Sequence, residues 1–274
     1  MPDHYEIYYK KSTDTGVTWS ATNRLCKTSG DSWNPAITAD SSNALHVVWN
    51  ENTPGNSEIY YRGSAAGGSS WSAVKRLTWN PAVSFFPRLV IDLSNNIHVV
   101  WMDTTPGNYG VYYKRSMDGG VTWAIAKRLT WTSGDSYYPI IAVDSSGNLH
   151  LVWSGNEWGN FEIYYRKSRD AGSTWTVARQ ITWNLGNSLP TAIAADSSGN
   201  PCVVWQDNTP GNDEIYYKRS TDGGTTWSAA QRLTWNSGSS GRPAIAIDSS
   251  KAIHIVWADP TPGNDEIYYK KFVK

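Results

Sequence analysis

Ser12-Thr13-Asp14-Thr15-Gly16-Val17-Thr18-Trp19 reads Ser-x-Asp-x-Gly-x-Thr-Trp, and the pattern returns at Ser116–Trp123, Ser168–Trp175 and Ser220–Trp227. A worn copy from Ser64 to Trp71 has Ala66 in the acid's place. Successive copies are spaced 52 residues apart, without insertion or deletion. A fixed period of this size marks a repeat architecture, in which each unit buries its apolar face on its neighbours. Inside the motif, Asp accepts hydrogen bonds from nearby backbone N–H groups. Gly takes a positive φ without a Cβ clash. Thr and Trp then suit the opening of a strand. The motif is therefore read as a hairpin turn.

Outward from this turn, each unit repeats four short segments. Glu6-Ile7-Tyr8-Tyr9-Lys10 precedes it and Trp19 to Leu25 follows it. A polar loop, Cys26 to Asn34, leads to the apolar run Pro35 to Asp40, then to Leu45-His46-Val47-Val48-Trp49. The turn Thr53-Pro54-Gly55-Asn56 opens the next copy, with Pro and Gly at the corners of a type II turn. Four antiparallel strands per unit make a propeller blade, and no apolar spacing suits a helix.

The motif resembles the Asp box of the sialidase-type (BNR) repeat, and the resemblance covers nearly the whole chain. It implies an all-β, five-bladed β-propeller of four-stranded repeats, forming one domain over residues 1–274. The repeats run at about 6–57, 58–109, 110–161, 162–213 and 214–265, with a closing strand at 266–271. In family order, the run before Asp40 is the inner strand, the Leu-His-Val-Val-Trp run the second, the Glu-Ile-Tyr-Tyr run the third, and the segment after the box the outer. The chain holds six third strands, because Glu266-Ile267-Tyr268-Tyr269 repeats the role of Glu6 to Tyr9. The ring is expected to close with strands from both termini. The outer strand Trp19 to Leu25 would join the inner and second strands from Pro243 to Trp257, with the C-terminal third strand favoured in place. The chain begins inside a repeat, and after Lys271 the pattern stops, which reads as a true end.

Composition narrows the function. Lys plus Arg and Asp plus Glu each number 24, so no bulk charge draws nucleic acid or an anionic membrane. No apolar run approaches a membrane span. Cys26 and Cys202 fall at different places in the repeat, which argues against a disulfide framework. No cofactor and no metal is expected. The compartment stays open, although the resemblance implies secretion or the cell surface.

Asp14, Asp118, Asp170 and Asp222 are read as structural turn residues. His46, His98, His150 and His254 share one repeat position, with Cys202 in the remaining copy, the fourth. A histidine–aspartate or histidine–backbone hydrogen bond inside each blade is the expectation there. Sialidases of this repeat type gather three arginines, a Tyr–Glu pair, an acid Asp and a Phe-Arg-Ile-Pro stretch. Here the nearest stretch is Phe86-Pro87-Arg88-Leu89, in another order, and only Arg88 and Arg242 stand at the inner strands. Glu157 is the one acid peculiar to a single repeat that looks placed for chemistry. On these grounds the chain is expected not to be an enzyme, with a sialidase-like glycosidase or a purely structural repeat as alternatives.

Two aromatic series are the binding candidates. Trp79, Trp131, Trp183 and Trp235 follow the outer strands, on the face opposite the boxes. Aromatic faces beside polar groups hold sugar rings. The pair Trp33-Asn34, Phe85-Phe86, Tyr137-Tyr138, Leu189-Pro190 and Gly241-Arg242 differs in every copy and is placed in the loop before the inner strand. Loops on a rigid scaffold carry binding. Trp33, Phe85, Phe86, Tyr137 and Tyr138, with Arg88 and Arg242, are therefore site candidates. The expected partner is a glycan or a protein, and the expected state a monomer or a strand-exchanged oligomer.

Overall fold

The computed structural model describes residues 4–53, 55–65, 67–105, 107–261 and 263–272. The opening turn at Met1–Asp3, the corners at Pro54 and Pro262, Ala66 and the ending at Val273–Lys274 lie outside the described residues. Two compact units form, residues 1–91 with 95–129 and residues 92–94 with 130–274.

The first unit begins with β1 (Tyr8–Tyr9) and β2 (Asn23–Arg24). It continues through β3 (Ser32–Ala39), β4 (Leu45–Glu51), β5 (Glu58–Ser64) and β6 (Lys75–Arg76). Then come β7 (Ser84–Ile91), β8 (Ile97–Asp103), β9 (Gly110–Ser116) and β10 (Lys127–Arg128). The second unit holds β11 (Ser136–Val143), β12 (Leu149–Gly155), β13 (Glu162–Ser168) and β14 (Arg179–Gln180). It continues with β15 (Ser188–Ala195), β16 (Pro201–Asp207), β17 (Glu214–Arg219) and β18 (Gln231–Arg232), then β19 (Gly241–Ile247), β20 (Ile253–Asp259) and β21 (Glu266–Phe272).

Every sheet is an antiparallel meander in chain order. Four sheets have four strands, β1–β2 is a hairpin and β19–β21 has three strands. No helix occurs among the described residues. The second strands read as continuous apolar runs because both faces are covered. All of Ile97–Asp103 is buried, and Trp49, Trp101, Trp153 and Trp205 are almost wholly sealed. Each such side chain contributes about 1.5–3 kcal/mol or more by leaving water. Within each unit the cores lie between consecutive sheets. Val48, Ile59, Tyr61 and Leu77 meet Leu89, Val99 and Trp101. Val152, Ile163 and Tyr165 meet Ile193, Val203 and Trp205. In three copies the aromatic that ends the turn motif docks on the third-strand Tyr of the repeat before. Trp71 meets Tyr9 at 5.2 Å, Trp123 meets Tyr61 at 5.0 Å and Trp227 meets Tyr165 at 5.1 Å, all edge to face. Trp19 departs from this series and is 62% exposed.

Three expectations are corrected. The segment Trp19 to Leu25 does not supply an outer strand to the last sheet: Tyr8 pairs with Arg24 and Tyr9 with Asn23. A hairpin tied by an intact turn closes a short loop, which costs far less chain entropy than a pairing across the whole sequence. At the other end, β21 completes seven residue pairs with β20, from Ile253–Phe272 to Asp259–Glu266, so the C-terminal third strand is in place as favoured. The outer strands are only two residues long, as at Lys75–Arg76. Finally, the variable pair lies inside the inner strand, at a register shift such as that between Trp33 and Ala36, and not in the preceding loop.

Candidate functional site

The four intact turns have one geometry. In the first, Ser12 Oγ donates to Asp14 Oδ1 at 2.7 Å and accepts from Gly16 N at 2.8 Å. Thr18 N donates to Asp14 Oδ1 at 2.9 Å and Thr18 Oγ1 to Oδ2 at 2.5 Å. Both carboxylate oxygens are thus spent inside the turn. The bonds recur for Asp118, Asp170 and Asp222. Donors aimed at the charged form, led by the Thr hydroxyl, hold Asp14, Asp118 and Asp222 at about 2. Gly224, with φ +91, shows why the motif needs glycine: a Cβ there would stand 2.1 Å from Tyr165 Oη.

The four histidines are each held by a tyrosine of their own sheet. Nδ1 of His46, His98, His150 and His254 each lies 2.8 Å from a third-strand Tyr hydroxyl. Nε2 of His150 and of His254 reach Asp144 and Asp248 at 3.0 and 2.9 Å. A carboxylate only accepts, so Nε2 carries the proton and Nδ1 accepts from Tyr. The Tyr partners were not foreseen, although Tyr recurs fifteen residues after each His. Cys26 and Cys202 are buried and not joined in a disulfide. Among the described residues no cluster of three His, Cys, Asp or Glu is placed to hold a metal ion.

The Trp series after the outer strands stands 65–68% exposed. Cations lie over these rings, a detail that sequence reasoning missed. Arg76 and Lys114 sit 6.0 and 5.3 Å from the Trp79 centroid, and Arg232 and Lys270 5.8 and 5.9 Å from that of Trp235. Arg166 covers Trp131 at 5.9 Å and Lys218 covers Trp183 at 5.4 Å. The signal was present, since Arg62, Lys114, Arg166, Lys218 and Lys270 share one repeat position. Lys114 Nζ donates to Leu77 O at 2.7 Å and Lys218 Nζ to Ile181 O at 2.5 Å, which straps one repeat to the one before. Burial pushes both ammonium groups down from their ordinary pKa. Beside the first ring, Lys75, Arg76, Leu77, Trp79, Lys114 and Trp123 line a groove of about 380 Å³.

The loops of Trp79, Trp183 and Trp235 are latched to the turn that opens their own repeat. Asn160 Nδ2 donates to Asn184 O at 3.0 Å and to Gly186 O at 2.5 Å. Asn212 does the same to Asn236 O and Gly238 O at 3.1 and 2.6 Å, and Asn56 to Asn80 O and Ala82 O. The two loops therefore form one surface in each of these repeats.

At the variable pair, Asn34, Phe86, Tyr138 and Arg242 all have φ of 52–54°. That conformation is costly for Phe and Tyr, and the bulge it builds re-aims the flanking side chains. Phe85 contacts Phe86 at 5.2 Å and Tyr109 at 5.7 Å. Tyr137 contacts Tyr138 at 5.9 Å and Phe161 at 5.3 Å. Trp33 lies 6.4 Å from Tyr5. Arg88 is exposed and donates to its neighbour Pro87 O at 2.9 Å. Arg242 lies in the other unit, its backbone N donating to Gln206 Oε1 at 3.3 Å.

The third repeat departs from the rest. Elsewhere a carboxylate two residues after the second-strand Trp closes a buried network. Asp207 accepts from Trp205 Nε1 at 3.1 Å, Ser188 Oγ at 2.7 Å and Thr209 Oγ1 at 2.5 Å. Asp103 holds Trp101 and Ser84 in the same way. The third repeat has Gly155 at that place, and Glu157-Trp158 where the others read Thr-Pro. Trp158 is 76% exposed. It was missed because the eye falls on the repeated tryptophans, and this one has no copies.

The model of the BNR repeat-containing family matches residues 22–184, more than half of the chain. No curated protein matches. Among solved structures, an α-L-arabinofuranosidase of Fusarium graminearum shares 14% identity with a TM-score of 0.66, over 98% of this chain and 85% of that one. The Hadza microbial sialidase Hz136 shares 18% at a TM-score of 0.62, over 97% of this chain and 59% of its own. The endo-arabinase of Bacteroides thetaiotaomicron shares 16% at 0.56, over 88% and 94%. At such identities the likeness reaches the fold, a β-propeller. It also corrects the expectation that the chain is not an enzyme, because structures with this fold include enzymes that cleave glycosides. The chain belongs to the BNR repeat-containing family.

Proposed function

We propose that this protein engages carbohydrate through the surface shared by the Trp loops and the repeat-opening turns. The observation that carries the reading is the series Trp79, Trp131, Trp183 and Trp235, each largely exposed and each held beneath fixed cations. An exposed indole held on one face by a cation offers its other face as a rigid apolar platform for the C–H side of a sugar ring, with polar groups at its edge. The near-equivalent copies favour weak binding per site and avidity for multivalent glycans. Arabinobiose bound to the Fusarium arabinofuranosidase shows that a neighbour of this fold takes a sugar. Five copies of the inner and second strands support five blades.

A glycan array tests the reading. Retention of a defined glycan class, weakened stepwise by Trp79→Ala, Trp131→Ala, Trp183→Ala and Trp235→Ala, is expected. Signals unchanged in the fourfold variant would refute it. A second reading, hydrolysis of a glycosidic bond, is favoured by Glu157, the acid that the third repeat alone presents at its loop. Chromogenic arabinofuranosides and sialosides test it, with activity removed by Glu157→Gln as the expected sign.

A further inference from the structure

The third repeat has exchanged an internal carboxylate for an outward one. Ser32, Ser84, Ser188 and Ser240 each donate to the carboxylate of their own repeat, Glu51, Asp103, Asp207 or Asp259. Their counterpart Ser136 is 1% exposed, and its Oγ has no partner. Leaving a buried hydroxyl unmatched is unfavourable, and natural structures keep few such groups. The Tyr164 ring fills the space that a Cβ at Gly155 would take, 3.0 Å from it, and leaves the Ser136 hydroxyl unmatched. The compensation is sought outside the core.

Outside, the acid returns as Glu157 beside Trp158 on a turn that keeps its form. Gly159 has φ +114, Gly159 N donates to Asn156 O at 3.1 Å, and Asn160 retains its latch. Burial raises the Tyr164 phenol to about 12, assisted by the charge of Glu157. Asp135 N donates to Asn156 Oδ1 at 2.6 Å, which brings the preceding loop onto the same turn. Tyr137 Oη donates to Asp135 Oδ2 at 3.4 Å, and Phe161 stands edge-on to Tyr137. An exposed indole, two tyrosines, a phenylalanine and two acids thus gather in one repeat only.

We propose that Glu157, Trp158 and the Tyr137–Tyr138 pair form a single subsite for a neutral sugar ring, which the other repeats do not repeat. The inference rests on the carbohydrate reading above. Trp158 supplies the stacking face, and the carboxylates accept from sugar hydroxyls. Glu157 has no cation partner among the described residues, so a sugar bearing its own carboxylate meets like charge and is disfavoured.

The double variant Glu157→Thr/Trp158→Pro gives this turn the sequence that the other repeats already fold with. Binding of arabinobiose, lactose and sialyllactose is followed by calorimetry and by Trp fluorescence, alongside an array of neutral and sialylated oligosaccharides. The expected result is retention of a neutral glycan, poor retention of its sialylated form, and a loss of about tenfold or more in the double variant with its melting point kept. Glu157→Gln should relax the discrimination against the sialylated form. Unchanged neutral-glycan affinity in the double variant, or a wild-type preference for sialylated glycans, overturns the subsite while the carbohydrate reading stands. Retention of no glycan by the wild type overturns that reading and the subsite with it.

Discussion

His150→Cys and His254→Cys make the same chemical change at two copies of one position. Cys already occupies that position in the fourth repeat, at Cys202. The bonds lost are nearly identical, 2.8 and 3.0 Å at His150 and 2.8 and 2.9 Å at His254. Burial differs. The His150 and Asp144 side chains are 0% exposed, while those of His254 and Asp248 are 27% and 35% exposed. Losing His150 orphans the Tyr165 hydroxyl, at about 1–3 kcal/mol, and removes a charge-assisted bond of about 1.5–3 kcal/mol. Asp144 keeps donors from Ser146 N, Asn148 N and Asn148 Nδ2, which absorbs part of the second loss. About 3 kcal/mol is the expected cost at His150. At His254 water replaces the lost partners and the cost stays below about 1 kcal/mol. Urea unfolding measures both, with hydrogen exchange at residues 149–153 as the local reading. Burial, opposed by Asp144, lowers the pKa of His150 in the folded state. Its contribution is therefore full above the unfolded pKa of about 6.5 and is lost as pH falls below it, so His150→Cys should flatten the acid side of the profile. Equal costs for the two variants, or an unchanged slope below pH 6.5, would refute the reasoning.

Asp118→Ala should lower the melting temperature at neutral pH and leave glycan affinity unchanged, since both its oxygens face the turn. The depressed turn carboxylates add stability above their unfolded pKa of about 4, and that support should fade as pH falls toward about 2 in an acid titration followed by circular dichroism. Cys26, buried and with its thiol pushed up to about 11, should resist iodoacetamide at pH 8 in the native protein and react after denaturation, as mass spectrometry would show. Trp205→Ala, at a fully buried site, should cost roughly 3–5 kcal/mol, whereas Trp183→Ala should cost far less, and a denaturation series compares the two.

The turn motif made most of the fold legible, because Asp, Gly and Thr at fixed offsets specify a local hairpin and the fixed period copies it. The strand order followed for the same reason: short turns leave a meander little choice. What stayed hidden depends on groups far apart in sequence. The bulge at Phe86 and Tyr138 is a backbone conformation that no residue type there announces, so the pair was read as loop. Lys114 takes its role from Leu77 O and Trp79, which belong to the preceding repeat. The shift from Gly155 to Glu157 could be read in the letters, but only the unmatched Ser136 hydroxyl gave it weight.

The edge-to-face contacts of Trp71 on Tyr9, Trp123 on Tyr61 and Trp227 on Tyr165 also set an order of events during synthesis. A third-strand Tyr can pair with its own second strand as soon as both have left the ribosome. Its outer side is closed only when a Trp translated 62 residues later arrives. Each nascent repeat is therefore left half sealed for more than a full period and is finished by its successor. Ribosome-bound chains arrested before and after Trp123 has left the ribosome should differ in protease protection at Tyr61, more than one repeat behind the emerging residue.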